Sequence, residues 1–121
     1  MICVSDIYHR MNTDRFAKDL ATGSYDLLIL DALRKRPAYG YEIARRVADQ
    51  SKQTVRWHFG TVYRVLHHLE RRGLVTSRWK SAGRRRERRY YRLTARGRAT
   101  GRQQRAQWQA FRDMLDTLLG L

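Results

Sequence analysis

Between Arg71 and Arg105 the chain carries 14 arginines and lysines and a single acid, Glu87. Cations at that density repel one another strongly unless a polyanion lies close by, so the fold has to lay this window out on a surface. Nucleic acid is the partner that best relieves the repulsion, and an ordinary solvated face is the alternative. The excess is local, because residues 1–70 hold 11 basic and 8 acidic groups and residues 106–121 hold 1 and 2. At 121 residues the chain suits one domain and is too short for two independent cores, and 42% apolar content with one proline is the composition of a folding chain. Cys3 is the only cysteine, and the apolar start before Arg10 is too short for a signal peptide or a membrane span. A reduced cytoplasmic setting without membrane attachment is expected.

Residues 1–22 carry weak signals and read as an N-terminal arm, partly helical at most. From Ser24 the apolar positions Tyr25, Leu28, Ile29, Ala32 and Leu33 fall on one helical face, which predicts a helix over 24–35. Ser24 suits its cap, Arg34, Lys35 and Arg36 suit the negative end of its dipole, and Pro37 stops it. Ile43, Ala44, Val47 and Ala48 predict a second helix over 40–50. Ser51–Val55 reads as a turn, and Val62, Val65, Leu66 and Leu69 form a third stripe that ends at a left-handed cap on Gly73.

Leu74–Lys80 and Arg89–Leu93 are β-prone segments around a cation-loaded turn that contains Gly83, the pattern of a hairpin. Thr94 suits the cap of a last helix running towards Leu119. Gly97 and Gly101 weigh against its first turns by about 1 kcal/mol each relative to alanine. Trp108, Phe111, Leu115 and Leu118 are spaced 3, 4 and 3 residues apart, which is a heptad seam.

Three helices, a hairpin and a trailing helix form the outline of a mainly α (α+β) fold. It is a winged helix-turn-helix with a two-stranded wing and a long C-terminal dimerisation helix. Residues 23–94 would be the DNA-binding domain and 95–121 the dimerisation helix. At 100° per residue the apolar stripe of the third helix occupies one side. Gly60, Arg64, His67 and Arg71 lie opposite, flanked by Tyr63 and His68. A small residue followed by cations suits close approach to a major groove, although an ordinary surface helix reads much the same. Arg84, Arg85, Arg86 and Arg88 at the hairpin turn can each neutralise a phosphate, with Arg78 and Lys80 extending the track.

The motifs Gly23-Ser-Tyr-Asp-Leu-Leu-Ile-Leu30, Tyr39-Gly-Tyr-Glu-Ile-Ala44, Gly60-Thr-Val-Tyr63 with Leu66, Leu69-Glu70 and Gly73-Leu74, Trp79, Arg89-Tyr-Tyr-Arg-Leu-Thr94 and Gly97-Arg98 stand in the order and spacing of a known family. Over about residues 23–100 the chain resembles the PadR family of bacterial transcriptional regulators, and its short tail is similar to the small subfamily with one C-terminal helix. The resemblance implies a homodimeric repressor that binds an inverted repeat in double-stranded DNA and needs no cofactor. It makes Thr61, Tyr63 and Arg64 readers of base and phosphate, and Tyr39 and Tyr41 supports or phosphate contacts. Two departures from the family stand out: His58-Phe59 replaces a frequent serine and proline, which removes the usual side-chain cap, and Arg64 replaces a frequent proline. In some small members aromatic residues at the dimer centre line a cavity for flat hydrophobic compounds. Trp108 is the candidate for such an effector site here, within a seam that includes Phe111, Met114, Leu115 and Leu118, while plain dimer core is its other reading.

His58, His67, His68 and Cys3 lack metal-ligand spacing, and no nucleophile, base and acid arrangement suggests an enzyme. Trp57, Tyr63, Trp79, Tyr90 and Tyr91 interleave with cations, which keeps RNA or single-stranded DNA as an alternative, beside a non-specific nucleoid-type role. Replacing Arg84 and Arg85 together by alanine should reduce the slope of log affinity for duplex DNA against log salt by about 0.9 for each phosphate that is no longer neutralised. An unchanged slope in a salt titration would remove the hairpin tip from the interface.

Overall fold

Residues 15–81, 83 and 87–121 are described in the computed structural model, with side chains from Ser24 onward. Its elements are α1 (Arg15–Ala32), α2 (Gly40–Gln50), α3 (Phe59–Arg71), β1 (Val75–Ser81), β2 (Glu87–Leu93) and α4 (Ala95–Leu119). The strands pair antiparallel, with Val75 opposite Leu93 and Ser81 opposite Glu87. Ile29, Leu30 and Leu33 of α1, Ile43 and Val47 of α2, and Val62, Leu66 and Leu69 of α3 meet Leu74, Val75, Tyr91 and Leu93 in one buried cluster.

Two boundaries of α1 differ from the predicted 24–35. The helix starts at Arg15, so Ser24 lies inside it rather than capping it. A capping residue is only a local preference, and Phe16 and Leu20 continue the helical spacing upstream. The helix also stops at Ala32, before Arg34–Arg36. Arg46 of α2 reaches this end instead, its guanidinium donating to the last helical carbonyl, Ala32, at 2.9 Å and, beyond the helix, to the Arg36 oxygen at 3.3 Å. That bond joins the first two helices across the Pro37 turn. Ala38 then exchanges two backbone hydrogen bonds with Tyr91, at 3.0 and 2.8 Å, which fastens the same turn to the hairpin. Tyr91 is fully buried, and desolvation pushes its phenol above the ordinary value, so the ring serves as neutral core.

The end of α3 is a Schellman turn. Gly73 takes φ +74°, its N–H donates to the Glu70 carbonyl, and the Leu74 N–H donates to the Leu69 carbonyl. Thr94 lies against this turn. Its hydroxyl accepts from the Gly97 N–H at 3.0 Å and donates to the Gly73 carbonyl at 2.7 Å, while its own N–H donates to the Leu74 carbonyl at 3.1 Å. A Cβ on Gly97 would be driven into the Leu74 carbonyl oxygen, so the first turn of α4 crosses the Leu74 backbone at a distance only glycine permits. Gly101 is different, since its Cβ would sit 3.7 Å from the Leu30 Cβ, an ordinary contact. Arg105 pairs with Asp31 of α1. Beyond it, α4 is exposed apart from the half-buried Leu115.

The two glycines should therefore respond oppositely to alanine. Gly97→Ala overpacks the Leu74 crossing and is expected to cost about 1–3 kcal/mol in urea unfolding. Gly101→Ala gains helix propensity, up to about 1 kcal/mol, and should be neutral or stabilising. Equal effects would show that the start of α4 is not locked on Leu74.

Candidate nucleic-acid interface

The buried side of α3 is Val62, Leu66 and Leu69, and its exposed side carries Gly60, Tyr63, Arg64, His67, His68 and Arg71, with Thr61 half-buried. No acid stands on α3 before Glu70, and Glu70 is turned away to the hairpin. His58 caps the helix without a side-chain hydrogen bond, while its carbonyl accepts from the Thr61 and Val62 N–H groups. Among the described residues, none accepts from the Phe59 and Gly60 N–H groups at the positive end of the helix. The exposed side thus begins with free donors and continues with cations.

A row of rings joins this end of α3 to the wing. Phe59 lies 5.5 Å from Tyr41, which stacks on Tyr39 at 6.2 Å, and Tyr90 of β2 meets Tyr39 edge-on at 5.4 Å. The Arg88 guanidinium sits 4.5 Å from the Tyr39 ring centre, and the Lys80 ammonium 5.5 Å from that of Tyr90. Tyr63 covers Gly40 so closely that a Cβ there would come 2.7 Å from the ring. Gly40 therefore lets the start of α2 nest under Tyr63, a contact between positions 23 residues apart that no sequence spacing announces.

Strand alternation gives the hairpin two faces. Val75, Ser77, Tyr91, Arg89 and Leu93 turn towards α3. There Arg89 pairs with Glu70 at 2.9 Å and donates to the Ser77 hydroxyl at 2.8 Å, which donates to Glu70 at 2.6 Å. Arg89 is thus a strut between wing and α3. The opposite face presents Arg88 together with Thr76, Arg78, Lys80, Tyr90 and Arg92, the last five around a shallow groove of about 160 Å³ bordered by Pro37. Among the described residues, none supplies an acid to Arg64, Arg71, Arg78 or Arg92. Arg84, Arg85 and Arg86 lie outside the described residues. Of the rings considered for stacking on unpaired bases, Tyr91 is buried and Trp57 is partly buried against the core, edge-on to Tyr25 at 5.1 Å.

The other predicted cluster lies away from this face. Trp108 and Phe111 meet at 5.9 Å on α4, and Met114 and Leu118 continue the exposed stripe. Arg105, Trp108, Gln109, Phe111, Arg112 and Leu115 border an open groove of about 550 Å³. Among the described residues no helix is long and apolar enough to cross a membrane, and no group of histidine, cysteine and carboxylate side chains could hold a metal ion. Sequence reasoning missed Phe59, Gly40 and Arg92. For Arg92 the signal was its two-residue spacing from Tyr90 and Arg88, which places the three on one face of β2.

The Transcriptional regulator PadR-like family matches residues 29–103, from the core of α1 through the helix-turn-helix and wing to the first turns of α4. A PadR family transcriptional regulator from Eggerthella lenta is 31% identical, covers 93% of this chain and 96% of its own, and superposes with a TM-score of 0.74. A PadR family regulator from Clostridium difficile R20291 is 29% identical over 79% of this chain and 98% of its own, at a TM-score of 0.71. Bacillus subtilis PadR, solved in complex with operator DNA, is 27% identical over 64% of this chain and 44% of its own, at a TM-score of 0.60. The pattern that matches the family is the same stretch that builds the helix-turn-helix and its wing, and the chain belongs to the PadR-like family of transcriptional regulators.

Proposed function

We propose that the protein is a transcriptional repressor that binds an inverted repeat in duplex DNA as a homodimer. The observation that carries this is the continuous face running from the start of α3 across the ring row to the outer side of the wing. The exposed cations of α3, Arg64 and Arg71, and those of the outer wing, Arg78, Lys80, Arg88 and Arg92, take part in no ion pair among the described residues. Arg64, His67 and Arg71 enter the major groove, with Gly60 allowing close approach and Thr61 and Tyr63 nearest the bases. Tyr39, Tyr41, Arg88 and the tip residues Arg84, Arg85 and Arg86 bind the sugar-phosphate backbone. The operator complex of Bacillus subtilis PadR supports the same mode of use for the shared fold.

The second copy joins through α4. Trp108, Phe111, Met114 and Leu118 are left exposed by the single chain, with Leu115 half-buried beside them, and burying each large side chain contributes about 1.5–3 kcal/mol. Two recognition helices then address successive major grooves about 10 bp apart. A flat hydrophobic effector held beside Trp108 would release DNA by favouring dimers in which that separation is wrong.

Selecting bound fragments from sheared genomic DNA near physiological salt tests the function, with a palindrome expected. No ordered sequence would favour the nucleoid-type or RNA-binding alternatives. Arg64→Ala should weaken operator binding by about 1–3 kcal/mol and relax preference at one base pair, whereas an equal loss on all sequences would confine Arg64 to phosphate. Trp108→Ala combined with Phe111→Ala should sediment as a monomer, and a dimer persisting at low micromolar concentration would move the interface off α4.

A further inference from the structure

Phe59 is the first residue of α3 and is 50% exposed, on a face otherwise made of cations, phenols and backbone donors. It is not spare core, since Val62, Leu66 and Leu69 fill that role. Its ring is held from behind by Tyr41 at 5.5 Å, and Tyr41 is held in turn by Tyr39 and, through it, by Tyr90 and Arg88 of the wing. A ring backed in this way loses little freedom on binding. A Cβ at the neighbouring Gly60 would find no atom within 4 Å, so nothing on that side keeps a base edge away.

The benzyl group has no hydrogen-bonding atom. The features that base pairs display in the major groove are donors and acceptors, apart from the small C5–H of cytosine and one apolar group of any size, the C5-methyl of thymine. The N-terminal residues of a recognition helix are the ones that meet base edges. We propose that Phe59 reads a thymine methyl in each half-site, with Tyr41 as the positioning residue that holds its ring. The proposal rests on the duplex-DNA function above and adds to it the identity of one base in each half-site.

The test begins with selection of a preferred duplex from a randomised duplex library by the full-length protein. That duplex is then made with its thymines replaced by deoxyuridine, one symmetric pair at a time, which removes the methyl and nothing else. Wild-type affinity should fall at one pair by about fourfold per half-site, the worth of one buried methyl. Phe59→Ala should lose a similar factor on the thymine duplex and no longer distinguish thymine from uracil. Tyr41→Ala should blunt that discrimination and Tyr41→Phe should restore it, whatever either does to overall affinity. Thermal unfolding reports whether the variants fold, and the uracil series on wild-type protein needs no variant. Wild-type protein that binds every uracil duplex as tightly as the parent overturns the proposal. So does an equal loss by Phe59→Ala on thymine and uracil duplexes, which would put the ring on a sugar. Recovery of no preferred duplex overturns the operator function itself, and the methyl contact with it.

Discussion

The close crossing of Gly97 over the Leu74 carbonyl is the constraint on which the rest of the molecule depends. Within one small clasp, Gly73 and Leu74 end α3 and start β1, while Thr94 and Gly97 end β2 and start α4. The direction of α4 is therefore set against the C-terminal end of α3. If α4 carries the second copy, this clasp fixes how far apart two recognition helices stand, and so ties self-association to operator spacing. A residue with any side chain at position 97 would loosen that tie before it touched either surface.

The excess of positive charge divides between two uses. Arg72 pairs with Asp26, Arg89 with Glu70 and Arg105 with Asp31, and Arg98 donates to the Arg34 carbonyl. These are struts between elements. Arg64, Arg71, Arg78 and Arg92 have no such partner among the described residues, and Arg78 and Arg92 lie on the wing face that also carries Lys80 and Arg88. Repulsion in the window is thus partly quenched inside the fold, and part of the remainder lies on the outer face of the wing, where a polyanion can answer it.

Much of this was legible from spacing alone. Ile43, Ala44 and Val47 lie between Pro37 and Ser51, and α2 spans Gly40–Gln50 because apolar period and turn residues agree. The α3 wheel separated Val62, Leu66 and Leu69 from Arg64, His67 and Arg71 for the same reason. Illegible were the contacts between distant positions. Arg46 reaches back 14 residues to cap α1, and Arg89 reaches 19 to Glu70. Gly97 read as a helix defect because its cost is local while its benefit, the Leu74 crossing, is tertiary. Ser24 misled in the opposite sense, as a capping residue enclosed by a longer helix. Phe59 stood out only as a departure from a frequent proline, since its backing by Tyr41 exists only once α2 and α3 are packed.

The central claim is that two copies of α3 occupy major grooves on one operator. Dimethyl sulfate probing of the selected duplex tests it directly, because the reagent methylates guanine N7 in the major groove and adenine N3 in the minor groove. Two clusters of protected guanine N7, centred about 10 bp apart and related by the symmetry of the repeat, are predicted. Unchanged N7 reactivity with protection confined to adenine N3, or a single protected cluster, would contradict it.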